Sequence, residues 1–286
     1  MLVIVGAIFV TASVIGGYMA MGGKLGVLWQ PFEVVIIFGA ACGAMVIGST
    51  KTVLGGVGKA LGMALKGPKY TKQNFVELLS LQYAIFKLAK TKGMLAIEAH
   101  VERPEESSLF QQFPSFLHDH HAVEFLCDYL RMMTLGTDNP HELETLMDEE
   151  LETHHGELLQ PQNAIQTMAG ALPALGIVAA VLGVIKTMGS ITEPPEVLGK
   201  LIGGALVGTF LGVFLAYGFV EPLAVVCKLT IDAEHRYYAC MKAGLLAHLS
   251  GYPPAVSIEF ARKTLMSNVR PTFYEVEEAV AALPPT

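Results

Sequence analysis

Charge is what this sequence has least of. Asp, Glu, Lys and Arg make up 16% of its 286 residues, where an ordinary soluble domain carries roughly 25%. That deficit, with a positive mean hydropathy, excludes a wholly water-soluble globule. The net charge of −7 excludes nucleic acid as a general partner. Cysteine is scarce as well. Cys42, Cys127, Cys227 and Cys240 lie far apart with no CxxC pair, so they read as reduced structural thiols rather than a disulfide framework. There is no Walker loop, dinucleotide fingerprint or GxSxG elbow, so neither an enzyme nor a bound cofactor is expected. No convincing β alternation appears, and the chain is expected to be all-α.

What is present is a set of long uncharged runs. The most prominent is a hairpin from residue 168 to 222, punctuated by Pro173 and Pro222. Its first arm carries only Lys186, and its second runs from Leu201 to Val220 without a charge. About 20 apolar residues is what an α-helix needs to cross a bilayer core. Leu2 to Gly23 and Val34 to Thr50 are two further uncharged runs, the second extended by Phe32 and by flanks able to snorkel. The N-terminus is apolar from its second residue and lacks a basic n-region, so it reads as a span rather than a cleaved signal. Trp29, in the break between the first two runs, is placed like an interfacial aromatic.

Orientation follows from the lysines. Lys51, Lys59, Lys66, Lys69 and Lys72 follow the second run, whereas the preceding break holds only Lys24. By the positive-inside rule the basic side is cytoplasmic. The expectation is an all-α integral membrane protein with four transmembrane helices, a large helical cytoplasmic domain and both termini in the cytoplasm. The boundaries are 1–50 for the first two spans, 51–165 for the cytoplasmic domain, 166–222 for the last two spans and 223–286 for C-terminal cytoplasmic helices. Helical periodicity marks residues 74–90 and 123–135. Asn139-Pro140 reads as a cap followed by proline at the first helical position. It opens a helix with Leu143, Leu146, Met147 and Leu151 on one face, and Pro161 is the expected break before the third span. A long helix after Pro222 ends at Gly251, with two short ones near 255–266 and 272–282.

No Asp, Glu, His or Arg falls inside the four span interiors. Proton and cation carriers place an ionisable group in the membrane, so any conduction is expected to need a partner's carboxylate. Gly204, Gly208 and Gly212 form consecutive GxxxG steps, and Gly176, Ala179, Ala180 and Gly183 give the third span a small patch. Such residues let helices approach closely, either within one chain or in an oligomeric bundle. Pro173 frees the Ala169 carbonyl and Pro222 that of Gly218, as a plain kink or as a hinge facing its counterpart across the hairpin. Thr209 is the central hydroxyl of its span; it either lines a wet path or bonds its own Ala205 carbonyl. Outside the membrane, Lys87, Lys90 and Lys92 are followed by Glu98, Glu102, Glu105 and Glu106, as a solvated face or as a surface for a charged partner. His118, His120, His121, His154 and His155 lack the spacing of a fixed helical ligand pair, so no metal site is expected.

Several stretches resemble the MotA family of flagellar motor stator A subunits, within the MotA/TolQ/ExbB proton channel superfamily. They are GGYMAMGG, QPFEVVII, KGMLAIEAHVERPEESSLF, LMDEELETHH, LPALGIVAAVLGV, LVGTFLGVFLAYGFVEPLA and IEFARKTL, spread over nearly the whole chain. The resemblance implies an inner-membrane ion channel subunit of a motility and chemotaxis machine. Five copies would surround two B subunits, each B subunit bringing an intramembrane aspartate and a plug released on assembly. It implies torque against a rotor switch-complex protein through Lys90 and Glu98, the first of which is commonly arginine in the family. It also implies channel positions at Pro173, Ala180, Thr209, Tyr217 and Pro222, with protons rather than sodium as the transported ion. The rival readings are an ExbB/TolQ-type energiser, disfavoured by two spans before the large cytoplasmic segment, a non-conducting membrane scaffold, and an autonomous transporter.

Overall fold

In the computed structural model of this chain, residues 2–284 are described. In chain order the helices are α1 (Leu2–Ala20), α2 (Leu25–Leu28), α3 (Pro31–Ile47), α4 (Lys51–Lys66), α5 (Lys72–Lys92), α6 (Leu95–Glu102), α7 (Pro114–Leu117), α8 (His120–Thr134), α9 (Pro140–Met188), α10 (Pro195–Leu215), α11 (Glu221–Leu249), α12 (Pro254–Lys263) and α13 (Phe273–Ala281). A 3-10 turn covers Phe110–Gln112, and a π-helical turn at Ala216–Val220 joins α10 to α11. Among the described residues there is no strand. Among the described residues, four segments are long and apolar enough to cross a membrane: Leu2–Ala20, Leu25–Ile47, and stretches within Pro140–Met188 and Pro195–Leu249.

The chain divides into two compact units, residues 1–67 with 157–230 and residues 68–156 with 231–286. The first holds the apolar helices. Its core is small, formed by Ile37, Ala41, Met168, Leu172, Ala179 and Ala216. Much of its surface is apolar and exposed, as at Phe9, Ile177, Ile185 and Leu206, which is what a lipid-facing or partner-facing helix presents. The amphipathic α4 buries Ala60 and Ala64 here.

The second unit has an ordinary aromatic and aliphatic core. Phe75, Leu78, Leu79, Ile85 and Phe86 of α5 pack with Phe116, Leu126 and Leu130. Tyr70 stacks on Tyr237 with ring centroids 3.7 Å apart, and its hydroxyl donates to Asp119 at 2.5 Å. Asp119 also takes Lys69 at 2.8 Å, so the acid within the 118–121 histidine segment is a structural anchor. Asn139 begins α9 as expected: its side-chain oxygen accepts from the His141 amide at 3.1 Å, one of the donors a helix start leaves unpaired.

Two expectations fail here. Pro161 does not break α9, which runs 49 residues through both Pro161 and Pro173. An interior proline costs about 3 kcal/mol, but Pro161 packs into space left by Gly56, where a Cβ would stand 2.6 Å from its Cγ. Leu143, Met147 and Leu151 share a buried face, whereas Leu146 is half exposed.

Candidate functional site

The arms of the hairpin, α9 and α10, meet through glycine. A Cβ on Gly176 would stand 2.9 Å from the Gly208 carbonyl oxygen and 3.3 Å from the Thr209 Cα. One on Gly212 would come within 2.6 Å of the Leu172 carbonyl, and one on Gly183 within 2.6 Å of the Ala205 Cβ. Further along, Gln162 donates to the Ala224 carbonyl at 3.2 Å. These contacts set one antiparallel register. The backbones approach as closely as they do only because those positions have no side chain.

The register decides which candidate residues come together. Pro173, Gly176 and Ala180 on α9 lie level with Gly212, Thr209 and Gly208 on α10, since a Cβ on Gly208 would stand 3.1 Å from the Ala180 amide nitrogen. Pro222 does not share that level. Pro173 pairs with about residue 213, which leaves Pro222 about 14 Å further along an α-helix. The sequence places the two prolines opposite each other; the glycine register offsets them. Pro222 and Tyr217 belong instead with the π turn. There the backbone carries an extra residue, a feature found often at functional positions, and Tyr217 is exposed. α1 closes on this turn, with Val10 Cγ1 at 3.2 Å from where a Cβ on Gly218 would lie.

Thr209 departs from its fellows. Thr11, Thr167, Thr187 and Thr230 each donate to the carbonyl four residues back, at 2.8–2.9 Å. Among the described residues Thr209 makes no such bond to Ala205 or to any other group. A hydroxyl that skips the local bond open to it retains its donor and both lone pairs for other company.

The expectation of membrane runs free of acid is corrected by Glu33. The sequence suggests a flanking residue ahead of the second run. In the structure it sits in the first turn of α3, inside the candidate span Leu25–Ile47. Its carboxylate reaches α10, where a Cβ on Gly208 would stand 2.7 Å from Oε2. Three residues earlier Gln30 does the same one turn away, its Nε2 3.1 Å from a Cβ on Gly204. So Gly204 and Gly208 clear space for polar side chains from a neighbouring helix, while Gly176 and Gly212 bring backbones together. The signal was an acid three residues into a run that begins with proline, but helical periodicity does not say where such a side chain ends.

In the second unit Lys90 and Glu98 lie on either side of Gly93, whose φ of +86° ends α5. Both are exposed. Lys90 occupies the last turn of α5 and Glu98 the first turn of α6, the placements favoured by helix dipoles. Their neighbours are engaged: Glu102 binds Arg131 at 2.7 Å and Glu106 faces Arg103 at 3.4 Å. Among the described residues neither Lys90 nor Glu98 forms an ion pair. Below Lys90, His248 stacks on Phe86 with ring centroids 4.4 Å apart. Burial, then the Lys90 charge, holds its pKa below the ordinary histidine value. His118 is hydrogen-bonded to the Pro114 carbonyl at 2.6 Å, and His155 faces Asp232 at 3.3 Å beside His235. Among the described residues no three His, Cys, Asp or Glu side chains come together as a metal site.

Known proteins share this sequence and architecture. The family model described as Motility protein A N-terminal matches residues 4–93, and that of the MotA/TolQ/ExbB proton channel family matches residues 118–239. Motility protein A of Escherichia coli (strain K12) is 44% identical, covering 99% of this chain and 96% of the relative. Chemotaxis protein LafT of Vibrio parahaemolyticus is 37% identical, covering 96% and 97%. The flagellar MotAB stator complex from Bacillus subtilis superposes with a TM-score of 0.72 at 26% identity, over 92% of this chain and 94% of that one. The C. jejuni MotAB structure, with a TM-score of 0.76 over 93% and 96% but 18% identity, speaks for the fold alone. The chain therefore belongs to the MotA family of flagellar motor stator subunits, membrane-spanning and non-enzymatic members of the MotA/TolQ/ExbB proton channel family.

Proposed function

We propose that this chain, as the A subunit of a flagellar stator, surrounds a B-type partner as a pentamer around a B dimer in the inner membrane. It conducts protons together with the partner's intramembrane aspartate. Its N- and C-termini lie in the cytoplasm, where the basic segment after α3 remains. Ion passage past Pro173, Ala180 and Thr209 turns the ring, with Tyr217 and Pro222 lining the path at its inner end. Lys90 and Glu98 push on a charged face of the rotor switch-complex protein.

The observation that carries this reading is the Thr209 hydroxyl, left unbonded among the described residues on the face where glycine holds α9 and α10 together. A hydroxyl and proline-freed carbonyls are the polar groups such a path needs beside a partner's carboxylate. Each charge that crosses releases about 2.3 kcal/mol per 100 mV. That is enough to bias one conformational step and small against stable packing, so torque is built from many small rotations.

The test is ion uptake into vesicles holding the full chain alone, with an unplugged B-type partner, and with that partner's aspartate changed to asparagine. Uptake only with the intact partner is expected, driven by a proton gradient and not a sodium gradient. Uptake by this chain alone overturns the reading, and no uptake in any combination points to a scaffold.

A further inference from the structure

Glu33 is a carboxylate that this chain itself brings against the glycine face of α10. Gly208 lies about 10 Å below the start of the apolar run at Leu201, so the carboxylate that rests on it is well inside the span. An acid at that depth is costly unless paired or functional. Oε2 is buried and has no hydrogen-bond partner among the described residues. Lys186 on α9 is the cation whose charge reaches it, but the two do not form an ion pair among the described residues. Gln30, one turn above, has its amide engaged with the Val27 carbonyl at 3.2 Å, so it does not satisfy Oε2 either.

The position matters as much as the isolation. Gln30, the residue just before α3, and Glu33, in its first turn, lie over Gly204 and Gly208, a polar staircase descending along α10. Its lower step abuts Ala179 and the Ala180 amide, each 3.1 Å from where a Cβ on Gly208 would stand, and Thr209 is the next residue. A side chain at Gly208 would fill the place of the carboxylate, so this glycine holds the acid against the face carrying Ala180 and Thr209.

We propose that Glu33 is the outer ion-accepting residue of the conduction path. Its Oε2 takes a proton from external hydronium, releasing water, and passes it along the Ala180–Thr209 face to the carboxylate of the partner's intramembrane aspartate, so that the Glu33 carboxylate is regenerated with no net change in its charge. This rests on the stator reading above, and it makes the A subunit an owner of an acidic step rather than a passive wall around the partner's aspartate.

The test uses the full chain with an unplugged B-type partner in vesicles, measuring the rate of proton uptake against outer pH and inner pH separately, with a sodium gradient as a second arm. Glu33→Gln is expected to slow uptake about tenfold or more and to flatten the dependence on outer pH, leaving the inner-pH profile unchanged. Glu33→Asp keeps the carboxylate and is expected to recover most of the outer-pH dependence. A wild-type rate and profile in Glu33→Gln overturns the proposal. So does an equal fractional loss at every outer pH with poor co-purification of the partner, which is the signature of a packing role. If the wild-type chain shows no partner-dependent uptake at all, the stator reading itself fails. A Glu33 variant that alone loses the outer-pH response, while wild type conducts, supports the proposal.

Discussion

The carboxylate of Glu33 stands where a side chain of Gly208 would be: a Cβ there would lie 2.7 Å from Oε2. One glycine of a GxxxG stripe thus serves to admit an acid from another helix, whereas four residues along, Gly212 lies against the backbone of α9. The same motif does two physical jobs, and substitutions along it separate them.

Gly212→Ala is expected to destabilise the chain. Alanine favours a helix over glycine by about 1 kcal/mol, but its Cβ would meet the Leu172 carbonyl at 2.6 Å and the Gly176 Cα at 2.8 Å. Backbone atoms cannot yield as a flexible side chain does, so overpacking wins, at about 1–3 kcal/mol. Gly199→Ala, with nothing within 4 Å of its Cβ, is expected to be neutral or slightly stabilising. Thermal unfolding of the two variants in detergent checks the contrast, and equal stability would refute the packing argument.

The prolines should be separable. Because Pro173 and Pro222 lie at different levels, Pro173→Ala and Pro222→Ala are expected to impair uptake by separate routes, and the double variant to lose more than either single. Helicity and co-purification with the partner should survive, since each change restores a backbone donor. Preserved flux and torque in the double variant would count strongly against a role for either.

Lys90 and Glu98 stabilise little by themselves, being exposed and, among the described residues, without ion pairs. Lys90→Glu and Glu98→Lys are therefore expected to leave unfolding within about 0.5 kcal/mol of wild type, yet to reduce swimming sharply. Compensating charge reversals on the rotor switch protein should restore it. A swimming defect matched by lost expression would assign the two residues to folding instead.

Acid should weaken the cytoplasmic unit through His248. Burial holds its imidazole below the ordinary value, so the unfolded chain takes up a proton before the folded chain does. Stability is complete above about pH 6.5 and falls as pH drops through that value. His248→Phe keeps the stack on Phe86 and is expected to flatten thermal stability between about pH 5 and pH 7. His235, lowered by burial and by His155, leaves a residual slope. An unchanged slope would exclude His248 as a source.

Composition and periodicity alone determined the helical class, the four apolar segments and the start of α9 at Asn139. Those features depend on neighbours in the chain, through caps and hydropathy. The resemblance of its motifs also led correctly to the family, because those motifs are local strings. Tertiary structure alone decided the rest. Pro161 reads as a helix breaker until Gly56 is seen to make room for it. Pro173 and Pro222 read as a facing pair until the contacts at Gly176, Gly183 and Gly212 offset them. Thr209 reads as either back-bonded or lining a wet path until its hydroxyl is seen to skip Ala205, and Glu33 reads as a flank until its side chain is found on Gly208. Each of these turns on which helix lies opposite and in what register. That is settled by packing between residues distant in sequence, from the Gly183–Ala205 contact within the hairpin to Glu33 against Gly208, and no local pattern encodes it.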